Sequence, residues 1–147
     1  MKTKLVLAGL AVLVILAAVH FSGGKDWSHH TGKVPFIVGY EKGLEKAKLL
    51  QKPRMLFFTT TWCGWCKKLA EESFTDEEAV RELDAFVPVL VDCDVEKDVA
   101  QRFGVHGFPT VRFVNAENEE LAAMNGYAPA EHFLRVIAEA KGSAGLR

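Results

Sequence analysis

The sequence predicts an α/β fold, a central mixed β-sheet flanked by helices, preceded by an N-terminal hydrophobic export segment. Three observations carry this expectation. A long apolar run follows a short basic start. Two apolar stretches, residues 55–60 and 86–92, are separated by helical patterning, which implies parallel strands joined by a crossover. Further on, residues 110–114 and 120–124 bracket a polar turn, which implies an antiparallel hairpin and therefore a mixed sheet.

The elements follow in order. Met1-Lys2-Thr3-Lys4 is basic, and Leu5 to Val19 is apolar throughout, reaching 17 residues with His20 and Phe21. A helix of that length spans about 25 Å, a little short of the roughly 30 Å hydrocarbon layer of a bilayer. Ser22-Gly23-Gly24 offers small residues for a cut, but there is no Ala-x-Ala and no cysteine follows to take a lipid. Residues 1–24 are therefore read as a signal peptide or an uncleaved N-terminal membrane anchor, with a buried core helix as the minor alternative. In either main reading Lys2 and Lys4 stay on the cytoplasmic side, so the rest of the chain faces outward into a bacterial cell envelope, on the periplasmic side. Residues 25–39 mix Gly, Ser, His and Pro without a sustained period and read as a linker. Within them His29-His30 defines no coordination geometry and reads as solvated.

Residues 40–147 form the expected domain. Tyr40, Leu44, Ala47 and Leu50 recur at helical spacing until Pro53 stops the pattern. Met55 to Thr60, dense in aromatic and β-branched residues, reads as a buried strand. Helices follow at Lys67–Ser73 and from the capping sequence Thr75-Asp76-Glu77-Glu78 to about Ala85. Phe86–Asp92 is a strand, Val95–Phe103 a helix, and the hairpin turns at Asn115-Ala116-Glu117-Asn118. A last helix, Pro129–Ala140, carries Phe133, Val136, Ile137 and Ala140 on one face.

Composition narrows the function. A chain of 147 residues, 49% hydrophobic with three cysteines, suits one compact domain and excludes both a large multidomain enzyme and a disulfide-stapled miniprotein. With 18 Lys+Arg against 19 Asp+Glu there is no cationic excess to neutralise phosphates, so nucleic-acid binding has no electrostatic basis.

The chemistry centres on Trp62-Cys63-Gly64-Trp65-Cys66, placed where a buried strand gives way to a helix. A cysteine at a helix N-terminus meets the positive end of the dipole and unpaired amides, which favour the thiolate. Cys63 is thus the expected nucleophile. Cys66, three residues on, shares its helix face and is the expected resolving thiol. Attack by Cys63 on a substrate disulfide gives a mixed disulfide, which Cys66 breaks, leaving Cys63 joined to Cys66. A zinc or copper knuckle competes with this reading, but it needs a second ligand pair, and the chain offers a lone Cys93 and scattered His106 and His132. An inert structural disulfide competes too, but so short a loop constrains the unfolded chain little. No metal and no cofactor is assigned. Gly107-Phe108-Pro109-Thr110 is the second feature. Pro109 opens a strand, and residue chemistry alone permits either isomer of the Phe108–Pro109 bond.

Trp62-Cys63-Gly64-Trp65-Cys66-Lys67, followed by Phe103-Gly104-Val105-His106-Gly107-Phe108-Pro109-Thr110, resembles the thioredoxin superfamily, with matching element order from Tyr40 to Ala140. Lys52-Pro53 and Ser73-Phe74-Thr75-Asp76 are most similar to exported thioredoxin-like domains such as the C-terminal domain of the thiol:disulfide interchange protein DsbD. The resemblance implies a thioredoxin fold and a cis Pro109 beside the cysteine pair. It also implies that Phe108 offers backbone hydrogen bonds to an extended substrate, and that Trp62, Gly64 and Trp65 form an apolar surface around the nucleophile. A core position for Trp62 is the alternative. Members commonly carry a buried acid six positions before the nucleophile; this chain has Phe57 there. Cys93 reads as a small buried hydrophobe, with a third redox thiol as the alternative.

The expected function is therefore a cell-envelope thiol-disulfide oxidoreductase, favoured as a reductant because Gly64-Trp65 adds no charge to hold a thiolate. Its implied partners are protein thiols and disulfides and a membrane electron donor, with membrane contact through residues 1–24 if these are retained. The rival is a membrane-tethered protein-binding or holdase module that uses Trp62, Trp65 and Phe108 without redox turnover.

Overall fold

The computed structural model describes residues 24–147, so the expected export segment, residues 1–23, lies outside the described residues. Five strands form one sheet: β1 (Ile37–Val38), β2 (Arg54–Thr59), β3 (Val87–Asp92), β4 (Thr110–Val114) and β5 (Glu120–Asn125). Their spatial order is β1-β3-β2-β4-β5. β3 runs parallel to both β1 and β2, whereas β4 is antiparallel to β2 and to β5, so the sheet is mixed as the sequence predicts. Helices α1 (Ser28–Thr31), α2 (Tyr40–Leu50), α3 (Gly64–Glu72), α4 (Glu77–Glu82), α5 (Lys97–Arg102) and α6 (Ala130–Ser143) cover it.

β2 sits at the centre and is buried at every position. Because successive side chains of a strand point to opposite faces, Met55 and Phe57 enter one core while Leu56 and Phe58 enter the other. The first core takes Cys66 and Leu69 of α3, Ala79 of α4 and the predicted face of α6, Phe133, Val136, Ile137 and Ala140. The second takes Tyr40 and Ala47 of α2 and Val99 and Ala100 of α5. α4 starts at Asp76, whose carboxylate accepts the Ala79 N–H at 2.9 Å, the cap expected from the sequence. Lys141 of α6 reaches Glu82 of α4 at 2.7 Å and ties the two helices together.

The structure corrects one expectation. Residues 25–39 are not a free linker but a strap packed on the domain. Trp27, His30 and Val34 are buried, and Ile37–Val38 joins the sheet as its edge strand. Gly32 has φ +53°, and a Cβ there would lie 2.6 Å from the Ala70 carbonyl and 2.8 Å from that of Phe74. Only a residue without a side chain lets the strap lie flat on the end of α3, where Lys33 N–H donates to Phe74 O at 2.8 Å. His30, expected to be solvated, is 2% exposed.

Candidate functional site

β2 ends at Thr59, and Thr60–Trp62 turns the chain into α3 with Cys63 as its N-cap. Cys63 has extended backbone (φ −77°, ψ 100°), as an N-cap requires, and its Sγ accepts the Cys66 N–H at 3.1 Å. A sulfur so placed receives one of the unpaired amides of the first turn, and the dipole of α3 adds positive potential there. Cys63 and Cys66 are joined as a disulfide with Cα atoms 5.3 Å apart. Both residues are buried, Cys66 wholly and Cys63 to 5% exposure, so of the two it is Cys63 that retains some contact with solvent. Gly64 opens the helix, and a Cβ there would meet open space.

Trp62 and Trp65 flank the pair and are 73% and 60% exposed, which settles Trp62 at the surface rather than in the core. Trp62 meets Phe108 edge-on, ring centroids 6.1 Å apart. The Phe108–Pro109 bond is cis, and Pro109 O accepts the Gly126 N–H at 2.8 Å. Among the described residues the Phe108 N–H and C=O make no backbone hydrogen bond. Trp65, Phe108, Pro109, Gly126 and Tyr127 line a shallow cleft of about 290 Å³. Trp62 and Trp65, which flank the Cys63–Cys66 pair, thus meet Phe108 and Pro109 around it.

Tyr127 was not legible in the sequence. It packs on Trp65 with centroids 5.5 Å apart, donates to Glu72, and shares with Trp65 the Lys68 ammonium, 5.2 Å from its own ring and 5.6 Å from that of Trp65. Lys68 therefore stiffens the aromatic wall. On the other flank Asp94 accepts from the Thr61 N–H at 3.1 Å and the Thr61 hydroxyl at 2.8 Å, and Lys25 of the strap reaches Asp94 at 3.2 Å and Asp92 at 2.7 Å. The Thr61 amide, with its hydroxyl and Lys25, holds the Asp94 carboxyl below its ordinary range.

Cys93 lines a second cleft, of about 660 Å³, with Trp62, Asp94, His106 and Phe108 among its walls. Its thiol is buried, and burial, with Asp92, Glu96 and Asp94 nearby, pushes it up to about 12. A thiol so protonated is neither nucleophile nor ready leaving group at neutral pH, which favours the buried-hydrophobe reading over a third redox thiol. Ellman's reagent at about pH 7.5 is expected to find no reactive thiol in the native oxidised protein and one equivalent after denaturation. A full equivalent appearing before denaturation would make Cys93 reactive.

The comparisons with known proteins agree with this geometry. Residues 40–141 match the family model described as a thioredoxin-like domain. The chain is similar to protein disulfide-isomerase erp38 of Neurospora crassa, 36% identical over 62% of this chain and 25% of that protein. It is also similar to the thiol:disulfide interchange protein DsbD of Campylobacter jejuni, 28% identical over 75% of this chain and 20% of that protein. Among solved structures, a thioredoxin from Thermus thermophilus superposes with a TM-score of 0.67 and 26% identity, covering 77% of this chain and 92% of that one. The chain spans about a quarter of the length of these curated relatives.

Proposed function

Because the chain belongs to the thioredoxin-like domain family, we propose that it is a thiol-disulfide oxidoreductase that exchanges disulfides with protein substrates through Cys63 and Cys66. The observation that carries this is the disulfide at the N-terminus of α3, which joins Cys63, the N-cap residue, to the wholly buried Cys66. In the reduced protein the Cys63 thiolate attacks a substrate disulfide, and the substrate's leaving sulfur departs as a thiol. Cys66 loses its proton and attacks Cys63 in the mixed disulfide, which releases the second substrate sulfur and restores the Cys63–Cys66 bond. Trp62, Gly64 and Trp65 supply the apolar platform, while Phe108 and Pro109 seat an extended substrate segment beside the sulfurs.

The direction of electron flow is that of a reductant. No charged side chain stands between the cysteines to hold the thiolate, and an easily held thiolate is what makes a strong oxidant of this fold. The apolar segment ahead of Gly24 and the similarity to DsbD support placement in a bacterial cell envelope, as an exported protein or an anchored one, with a membrane electron donor to recharge the pair.

Two measurements test the reading. The purified chain is expected to accelerate dithiol-dependent reduction of insulin; a rate equal to that of the dithiol alone would leave only the binding-module alternative. A glutathione-buffered titration followed by tryptophan fluorescence is expected to give a potential nearer about −270 mV than −120 mV. A value above about −150 mV would reject the reductant assignment.

A further inference from the structure

Reduction of the pair raises a question of protons. Residue 57, six positions before Cys63, is a fully buried phenylalanine, so no ionisable side chain approaches the sulfurs from that point of β2. The strap places one against the turn that leads into Cys63. His30 is 2% exposed and its Nε2 lies 3.1 Å from Thr60 O, the same carbonyl that accepts the Cys63 N–H at 3.2 Å. A carbonyl only accepts, so Nε2 carries the hydrogen and Nδ1 carries the lone pair. That Nδ1 is buried and has no hydrogen-bond partner among the described residues, and neither has the Thr60 hydroxyl on the same turn. A buried, unpaired ring nitrogen at most two hydrogen bonds from the cysteine amide is not accounted for by packing alone.

Resting on the oxidoreductase reading, we propose that His30 is a positioning residue of the redox site: its Nε2–H holds the carbonyl that seats Cys63, and its Nδ1 takes up a proton when the disulfide is reduced. A dithiol donor reducing the pair gives up two electrons and two protons and becomes a disulfide. One proton goes to Cys66, which is wholly buried and stays a thiol; Cys63 keeps its charge at the end of α3. The second proton passes to Nδ1, where the new thiolate favours it. In the oxidised protein burial pushes the ring below its ordinary imidazole range, opposed by the Thr60 carbonyl. Lys67 of α3 and His29 also disfavour a charge there, and Asp26 favours it. The thiolate is the contribution that changes with redox state.

The test uses the full chain and two independent readouts. A His30 ring-proton NMR titration in the oxidised and dithiol-reduced protein is expected to show a higher midpoint in the reduced form. Equal midpoints would overturn the proposal. The dithiothreitol equilibrium is then followed from about pH 5 to 8 in the wild type and in His30→Gln, whose amide N–H reaches the Thr60 carbonyl but takes no proton. The wild type is expected to bind up to one more proton per two electrons than His30→Gln; identical pH dependence would overturn the proposal. His30→Leu, which loses the hydrogen bond as well, is expected to differ from His30→Gln in potential at every pH, and coincidence of the two would remove the positioning role. The chemical reduction needs no protein substrate, so these outcomes stay readable even if insulin turnover is absent and the function itself is rejected.

Discussion

Cys63→Ser is expected to reduce insulin at the rate of the dithiol alone, a loss on the order of 10²-fold or more, because a serine hydroxyl does not ionise near neutral pH even at a helix N-terminus. Cys66→Ala is expected to be equally inactive over repeated turnover for a different reason. The first attack survives in it, and the mixed disulfide then has no internal thiol to break it. On non-reducing gels Cys66→Ala should therefore accumulate adducts through Cys63, and Cys63→Ser should not. Adducts forming through Cys66 in Cys63→Ser would reverse the order of attack, and would contradict the complete burial of Cys66.

The second large effect is on stability. Gly32→Ala is expected to cost about 3 kcal/mol in urea unfolding, combining the left-handed backbone penalty with overpacking. At φ +53° the new methyl would stand 2.6 Å from Ala70 O and 2.8 Å from Phe74 O, both backbone atoms with no freedom to step aside. The strap must lift or the end of α3 must move. An unchanged midpoint would mean that residues 25–34 contribute nothing to the folded state, and the packing of Trp27 and Val34 would have to be abandoned.

The strands were legible because their signal is dense. Arg54–Thr59 is apolar or β-branched at nearly every position, as a strand covered on both faces must be, and its partner Val87–Asp92 has the same character. The turn at 115–118 was equally plain, and Asn118 adopts the positive φ (65°) that asparagine tolerates. The active cysteines were found because strand, Cys-x-x-Cys and helix occur in immediate succession. The strap is not legible in the sequence because its inward residues, Trp27, His30 and Val34, are spread through glycine, serine, histidine and proline whose composition indicates a loop. Their spacing of three and four residues was the available signal, and a buried histidine does not register as apolar in such a pattern. Tyr127 carried none: it joins the site because Gly126, at φ +86°, turns the chain after β5.

The ion pairs of Lys25 with Asp92 and Asp94, one of which also holds Thr61, fix where the described chain enters the domain. Lys25, one residue after the first described, is thereby held beside the turn that leads into Cys63. A biotin handle or surface coupling placed at Lys25 would consequently bring the reactive sulfurs close to the support, and electrode or sensor-chip work on this protein would do better to immobilise it by the C-terminal helix.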